Sequence, residues 1–483
     1  MTLKQKTIDG LLWSSIDNFT NQAVAFIVGI ILARLLTPKE FGLIGIVTVF
    51  TAISATLINS GFSQALIRKQ ECSSKDYSTV FYFNIIVSIL IYLILFFTAP
   101  LISEFFQEPQ LTLIVQIVSI GLIIDSLSII QFSVLNKRID FKLQTKISLI
   151  SSIVSGAVGI VLASSGYGVW SLVVRNLTSQ IIHTLLLWVW NKWSPTLEFS
   201  IGSFKDLFSF GSKLLVNGIV DTIYNNIYYL IIGKYFSAKE LGFYTRADMF
   251  KNLPSQNILG IVFRVSYPVL STIQNDQSLL KSYYKKMVKS TMLFSFTLLF
   301  SMAAIAEPMI LSLLGNQWQP SVGYLQLLCF VGMLHPLQSL NTNVLLVLGR
   351  SDLFLKTEII KKILAVPTII IGVIFGIKEM IIGMILISVI GYILYSRLSV
   401  RFIQYSIKEQ ILDIFPSLIV GFSTAIVVLV IDSFLSIGYM AKFIIEGSIA
   451  ISLIIVLCEI FKLDAYLFVK NELISKISAL RKE

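Results

Sequence analysis

Thr37-Pro38-Lys39-Glu40-Phe41-Gly42 and Ser237-Ala238-Lys239-Glu240-Leu241-Gly242 are two copies of one motif, 200 positions apart. The match extends upstream, where Ile31-Leu32-Ala33-Arg34 faces Ile231-Ile232-Gly233-Lys234, so a cation recurs as well. A second pair of matches lies further along each half. Arg138, Asp140, Leu143, Thr145 and Ile147 return as Arg350, Asp352, Leu355, Thr357 and Ile359, now 212 positions apart. Two matches in register are far harder to obtain by chance than one. The chain is therefore expected to be built twice.

The surroundings of the motifs say what is repeated. Of the 483 residues, 55% are hydrophobic and only 13% charged, and the mean hydropathy is +0.82. A soluble chain carries about 25% charged residues, so this one lacks the polar residues to coat a soluble fold. Apolar runs of the length needed to cross a bilayer, roughly 20 residues, follow one another along the chain. They predict helices at 11–33, 43–66, 79–101, 112–135, 147–165, 168–190, 209–232, 242–262, 289–313, 322–347, 354–376, 379–400, 412–434 and 440–461. Backbone polar groups in lipid must pair within their own segment, which favours helices; barrel strands would be shorter and alternating. The expected class is an all-α polytopic membrane protein of about fourteen transmembrane helices.

Each motif falls at the same place in its half, after the first helix and between the fourth and fifth. Six helices per half is an even number, so the halves share an orientation. The expected domains are a six-helix lobe at 1–200, its repeat at 201–405, and two extra helices with a tail at 406–483. Parallel repeats of this kind are typical of transporters, whose substrate sites lie between the halves.

Charge gives the orientation. Of the 38 lysines and arginines, only Arg34, Lys39, Lys234, Lys239, Arg246, Lys251, Lys378 and Lys442 fall on one side, and Arg175 falls inside a helix. The rest, with both termini, lie on the other side, which the positive-inside rule makes the cytoplasm. The net charge of +11 then reflects topology and anionic headgroups. It does not suggest a nucleic-acid partner, since no basic, aromatic-interleaved soluble module is present. Lys4 and Lys6 precede a long first helix with polar residues in its middle, unlike a cleaved leader. Cys72, Cys329 and Cys458 are scattered and suggest neither a disulfide framework nor metal spacing. No metal centre or cofactor is expected.

Candidate functional residues are the polar ones at membrane depth. Ser14, Asn18 and Gln22 share one face of the first helix, which also carries Asp17 and Asn21. The seventh helix, its repeat partner, carries Asn217, Asp221, Asn225 and Tyr228 on one stripe. Such stripes turn from lipid toward protein or water, and matched stripes point to a wet cleft. Asp17, Asp125, Arg175, Asp221, Asp248 and Lys251 are ionisable at depth, with Arg246 near a helix end. Lone His183 and His335 read as packed histidines. Trp188, Trp190 and Trp193 read as an interfacial belt. Nothing resembles a nucleotide loop or a catalytic constellation, so an enzyme is not expected. Glu104 and Glu108 are too sparse an outer-loop set for a glycan polymerase or ligase.

Four stretches carry a family resemblance: Ile31 to Gly42, Gly61-Phe62-Ser63-Gln64-Ala65-Leu66-Ile67-Arg68, Gly166-Tyr167-Gly168-Val169-Trp170, and Leu241-Gly242-Phe243-Tyr244-Thr245-Arg246-Ala247. Together they resemble polysaccharide-exporting flippases of the Wzx type, in the branch serving lipopolysaccharide and colanic-acid-like exopolysaccharides. That family sits in the multidrug/oligosaccharidyl-lipid/polysaccharide exporter superfamily. The resemblance implies two six-helix lobes in a V. It implies alternating access that carries a polyprenyl-pyrophosphate-linked oligosaccharide from the cytoplasmic to the periplasmic leaflet of the bacterial inner membrane. Implied partners are that lipid-linked oligosaccharide, membrane lipids and other polysaccharide-assembly proteins. Cations should meet the pyrophosphate. Charge and repeat position nominate Arg34, Lys234, Arg246, Lys251 and Arg175 for that role, Asn18, Asn225 and Tyr228 for sugar hydroxyls, and Asp17 and Asp221 for a coupling proton or cation. The rival readings are a drug/cation antiporter or a lipid II flippase of the same superfamily and, from another class, a membrane-embedded glycan polymerase or ligase.

Overall fold

The structure, a computed structural model, describes the backbone of residues 3–467 and 470. Within that range the side chains of 3–12, 14, 15, 261–265, 267 and 268 lie outside the description, so Lys4, Lys6 and Ser14 are not placed. Fourteen long helical segments follow in chain order among the described residues. They are α1 Leu3–Leu35, α2 Pro38–Arg68, α3 Ser74–Phe106, α4 Leu111–Arg138, α5 Phe141–Ser164, α6 Val169–Asn191, α7 Ile201–Tyr235, α8 Ala238–Thr272, α9 Gln277–Ala304, α10 Pro320–Val347, α11 Ser351–Phe375, α12 Ile377–Ile403, α13 Ile407–Phe434 and α14 Tyr439–Ile460. A short helix, Ala306–Leu313, lies between α9 and α10.

Eleven of these segments are long and apolar enough to cross a membrane. The other three, α7, α8 and α11, run for 35, 35 and 25 residues but carry more polar and charged residues. The expected all-α membrane fold is what is found. Large apolar side chains stand on the outside, such as Ile94, Phe97 and Leu101 on α3, in a density that water would penalise and lipid does not.

The expected boundaries differ from the observed ones where local chemistry breaks a helix. α2 is interrupted at Ser60 and Gly61, both left-handed with φ of 45° and 71°. The predicted 289–313 helix is instead the end of α9 and the separate short helix, divided at Ile305. Other ends are set by caps. Thr37 and Ser237, at the heads of the two motif copies, both start helices. The Thr37 N–H donates to Glu40 Oε2 (2.6 Å), and the Glu240 N–H donates to Ser237 Oγ (3.0 Å). Asp140 caps α5 through the Leu143 N–H. Asp276 caps α9, where the Leu279 N–H and the Ser278 hydroxyl hold its carboxyl below the usual carboxylate range.

Packing divides the chain into two compact units, residues 1–242 and 243–483. In the first, α5 lies against α1 and α6, α3 against α4, and α7 against α2 along its length. Phe62, Phe81, Ile130 and Leu207 bring α2, α3, α4 and α7 into one core. α7, the first helix of the second sequence repeat, thus packs with the helices before it. In the second unit α9 packs on α13, and α12 on α10 and α11. Gly421 allows the first of these, since a Cβ there would lie 2.9 Å from the Phe296 carbonyl.

The two motif copies meet inside the first unit. A Cβ on Gly42 would fall 1.6 Å from the Ala238 carbonyl oxygen, and a Cβ on Gly242 would fall 1.8 Å from the Pro38 carbonyl oxygen. Each glycine therefore seats the backbone at the head of the other copy's helix. The internal repeat is expressed as a reciprocal, backbone-on-backbone contact between the N-termini of α2 and α8.

Candidate functional site

α1 and α7 lead into the two ends of this reciprocal contact, and both carry a carboxylate–amide pair one helical turn apart. On α1, Asp17 Oδ1 accepts from Asn21 Nδ2 (2.7 Å) and from Ser148 Oγ of α5 (2.5 Å). Asn21 Oδ1 in turn accepts from Ser152 Oγ (3.2 Å). On α7, Asn217 Nδ2 donates to Asp221 Oδ2 (3.1 Å). With the motif offset of 200 positions, Asp17 aligns with Asn217 and Asn21 with Asp221, so the order of the pair is exchanged. Asn18 and Asn225 are exposed and Tyr228 is buried. α7 is also tied to α2, where the Thr222 and Thr56 hydroxyls lie 2.9 Å apart.

The nominated cations fall into different settings. Arg34 is exposed in the last turn of α1. Lys234, its counterpart on α7, donates to the Phe105 carbonyl (2.6 Å) and lies 4.2 Å over the Phe105 ring, so it closes the end of α3. Lys251 pairs with Asp248 on α8 (2.8 Å), and Asn252 Nδ2 donates to the same carboxylate (2.8 Å). Arg246 lies five residues before Lys251 on α8 and is half-buried. Arg175 of α6 lays its stem across Gly159 of α5, where a Cβ would be 3.0 Å from the Arg175 Cβ. The structure thus joins Asp17 with Asn21, Asn217 with Asp221, and Asp248 with Lys251.

A further polar knot in the second unit escaped sequence reading. Lys361, expected in a cytoplasmic loop, is the eleventh residue of α11. Its Nζ lies 3.1 Å from Glu358 Oε1 and 3.2 Å from Gln338 Oε1 of α10, and Tyr395 of α12 donates to the same Glu358 oxygen. Gly391 leaves the space, since a Cβ there would be 3.0 Å from Lys361 Cδ. The available signal was the Glu358–Lys361 spacing, which puts opposite charges on one helical face.

Comparison with known proteins follows the same lines. The profile of a family described as "Polysaccharide biosynthesis protein" matches residues 31–323. The chain is 26% identical over 354 residues to the teichuronic acid biosynthesis protein TuaB of Bacillus subtilis (strain 168), covering 73% of each chain. It is 24% identical over 441 residues to the lipopolysaccharide biosynthesis protein WzxC of Escherichia coli (strain K12), covering 88% of this chain and 89% of the relative. Its fold is similar to a solved structure of the lipid II flippase MurJ in an inward closed conformation. The TM-score is 0.79 at 16% identity, over 93% of this chain and 98% of that one.

Proposed function

The chain belongs to the polysaccharide biosynthesis protein family, and from that premise we propose that it is a flippase for a polyprenyl-pyrophosphate-linked oligosaccharide, moving it from the cytoplasmic to the periplasmic leaflet of the bacterial inner membrane. The physical problem is the headgroup. Sugar hydroxyls and a pyrophosphate are excluded from hydrocarbon, while the polyprenyl tail is not. A transporter must therefore shelter the head and leave the tail in lipid. It does so by alternating access between lobes 1–200 and 201–405, with both termini cytoplasmic and two extra transmembrane helices ahead of the tail in 406–483.

One observation carries this reading: the reciprocal seating of Gly42 on Ala238 and of Gly242 on Pro38. At both glycines the missing side chain lets the other copy's backbone approach where any Cβ would block it. It sits at the heads of α2 and α8, directly after the two polar helices. Within this scheme Arg34, Lys234, Arg246, Lys251 and Arg175 serve the pyrophosphate, Asn18, Asn225 and Tyr228 the sugar, and Asp17 and Asp221 the coupling ion. The exposed amides of Asn18 and Asn225 suit sugar hydroxyls, and the Asp–Asn pairs on both helices suit an ion that is taken up and released.

The test is a deletion strain without a redundant exporter. Surface polysaccharide should be lost and restored by the wild-type gene. Intact surface glycan in the deletion strain overturns the proposal, and sensitivity to toxic cations in its place would favour the drug/cation antiporter.

A further inference from the structure

The two helices beyond the repeat hold a buried acid that the flippase scheme does not use. Glu446 is the eighth residue of α14 and is wholly buried. No donor reaches either of its carboxyl oxygens. Three charged groups face it: Asp432 from α13, Lys442 one turn earlier on α14, and Glu307 from the short helix Ala306–Leu313 that packs against α14. Lys442 is already engaged, with its Nζ 2.5 Å from Asp432 Oδ1 and 3.2 Å from the Asp432 carbonyl oxygen. Asp432 Oδ2 accepts from no other donor among the described residues.

Two carboxyl groups facing each other are acceptor against acceptor unless one holds a proton. Lys442 stabilises the ionised form of Asp432 and occupies its Oδ1. That leaves Oδ2 to accept, and Glu446, which no cation contacts directly, to donate. We propose that the α13–α14 hairpin is a proton-binding site, with one exchangeable proton carried by Glu446 and shared with Asp432 Oδ2.

Exchange is a single proton transfer. The Glu446 O–H bond breaks as an O–H bond forms on Asp432 Oδ2. The Lys442 ammonium, one turn from Glu446, then neutralises the new Glu446 carboxylate. The proton leaves from Asp432, whose side chain is 29% exposed, whereas Glu446 has no route of its own. Glu307 adds a third acid to the site and no competing cation. The α13–α14 hairpin is thereby more than extra lipid-facing surface. The inference rests on the export reading only for the use made of the proton, because the proton itself belongs to the folded chain.

The experiment is infrared difference spectroscopy on the purified full chain in lipid bilayers, using wild type, Glu446→Gln and Asp432→Asn. Wild type should show the C=O stretch of a neutral carboxylic acid, shifted in deuterated buffer and varying with bath pH. Glu446→Gln, whose amide can still donate to Asp432, should fold with an unchanged melting profile and lose the band. Asp432→Asn should keep the band and lose its response to pH. A wild type without the band, a band that persists in Glu446→Gln, or a band that ignores pH in the wild type overturns the proposal. Any of these leaves the export reading standing, and intact surface glycan in the deletion strain leaves the spectroscopic result untouched.

Discussion

α1 and α7 are the same helix written twice, and they have diverged in what surrounds their charges. On α1 the carboxylate of the Asp–Asn pair comes first, and α5 closes over the pair, with Ser148 donating to Asp17 and Ser152 to the Asn21 amide oxygen. On α7 the amide comes first and bonds its carboxylate on an exposed stretch. At the far end the difference reverses: Arg34 of α1 is exposed, whereas Lys234 of α7 is laid on the end of α3. The repeat has kept an Asp–Asn pair and a terminal cation on both helices, exchanged the order of the pair, and changed which neighbours hold them. Asp17 and Lys234 are each tied to a neighbouring helix, α5 and α3, while Arg34 is exposed and Asp221 pairs with Asn217 on an exposed stretch.

The largest effect is expected where the copies are most alike. Gly42→Ala and Gly242→Ala each push a methyl group into a backbone carbonyl, at 1.6 and 1.8 Å. Overpacking of this kind costs about 1–3 kcal/mol or more, so both variants should lose most export, to a similar degree. Complementation of surface glycan at matched membrane abundance reads this out. A silent Gly42→Ala would show that the reciprocal contact is not needed.

The cations come next. Arg34→Ala should reduce export with little change in melting temperature. Lys234→Ala should reduce export and also loosen the end of α3, at about 0.3–1 kcal/mol for a cation at a helix C-terminus. The double variant should abolish export, and Arg34→Lys should be milder because only the fork geometry is lost. If Lys234→Ala changes stability alone, Lys234 is an anchor and the pyrophosphate is held elsewhere. The smallest difference concerns the carboxylates. Asp17→Ala strands the Ser148 and Asn21 donors and should destabilise by about 1–3 kcal/mol, while Asp221→Ala should alter export more than melting. Equal melting shifts for the two would show that the contacts from α5 add nothing to the α1 copy.

Much of this was legible in the chain itself. The apolar runs gave the all-α membrane fold because backbone satisfaction in lipid leaves few alternatives. The motif pair around Gly42 and Gly242 pointed to the repeat. What could not be read was tertiary. The packing of α7 with α2 depends on close approaches such as that at Gly61, where a Cβ would be 2.5 Å from the Gly211 carbonyl oxygen. The break at Ser60 lies within Pro38–Arg68, a segment apolar enough overall to read as one span. Lys361 read as a loop cation because its partners, Gln338 and Tyr395, come from other helices. Glu446 lies in a segment apolar enough to cross a membrane, and only its burial distinguishes it.

The central claim concerns which leaflet holds the cargo. Intact spheroplasts of deletion and wild-type strains can be treated with a membrane-impermeant glycan-cleaving enzyme, and the cleaved fraction of the lipid-linked oligosaccharide measured. If the protein is the flippase, the cleaved fraction should fall to background in the deletion strain while total lipid-linked oligosaccharide rises, and both should return with the wild-type gene. An undiminished cleaved fraction in the deletion strain would mean that the cargo crosses without this protein, and would contradict the account.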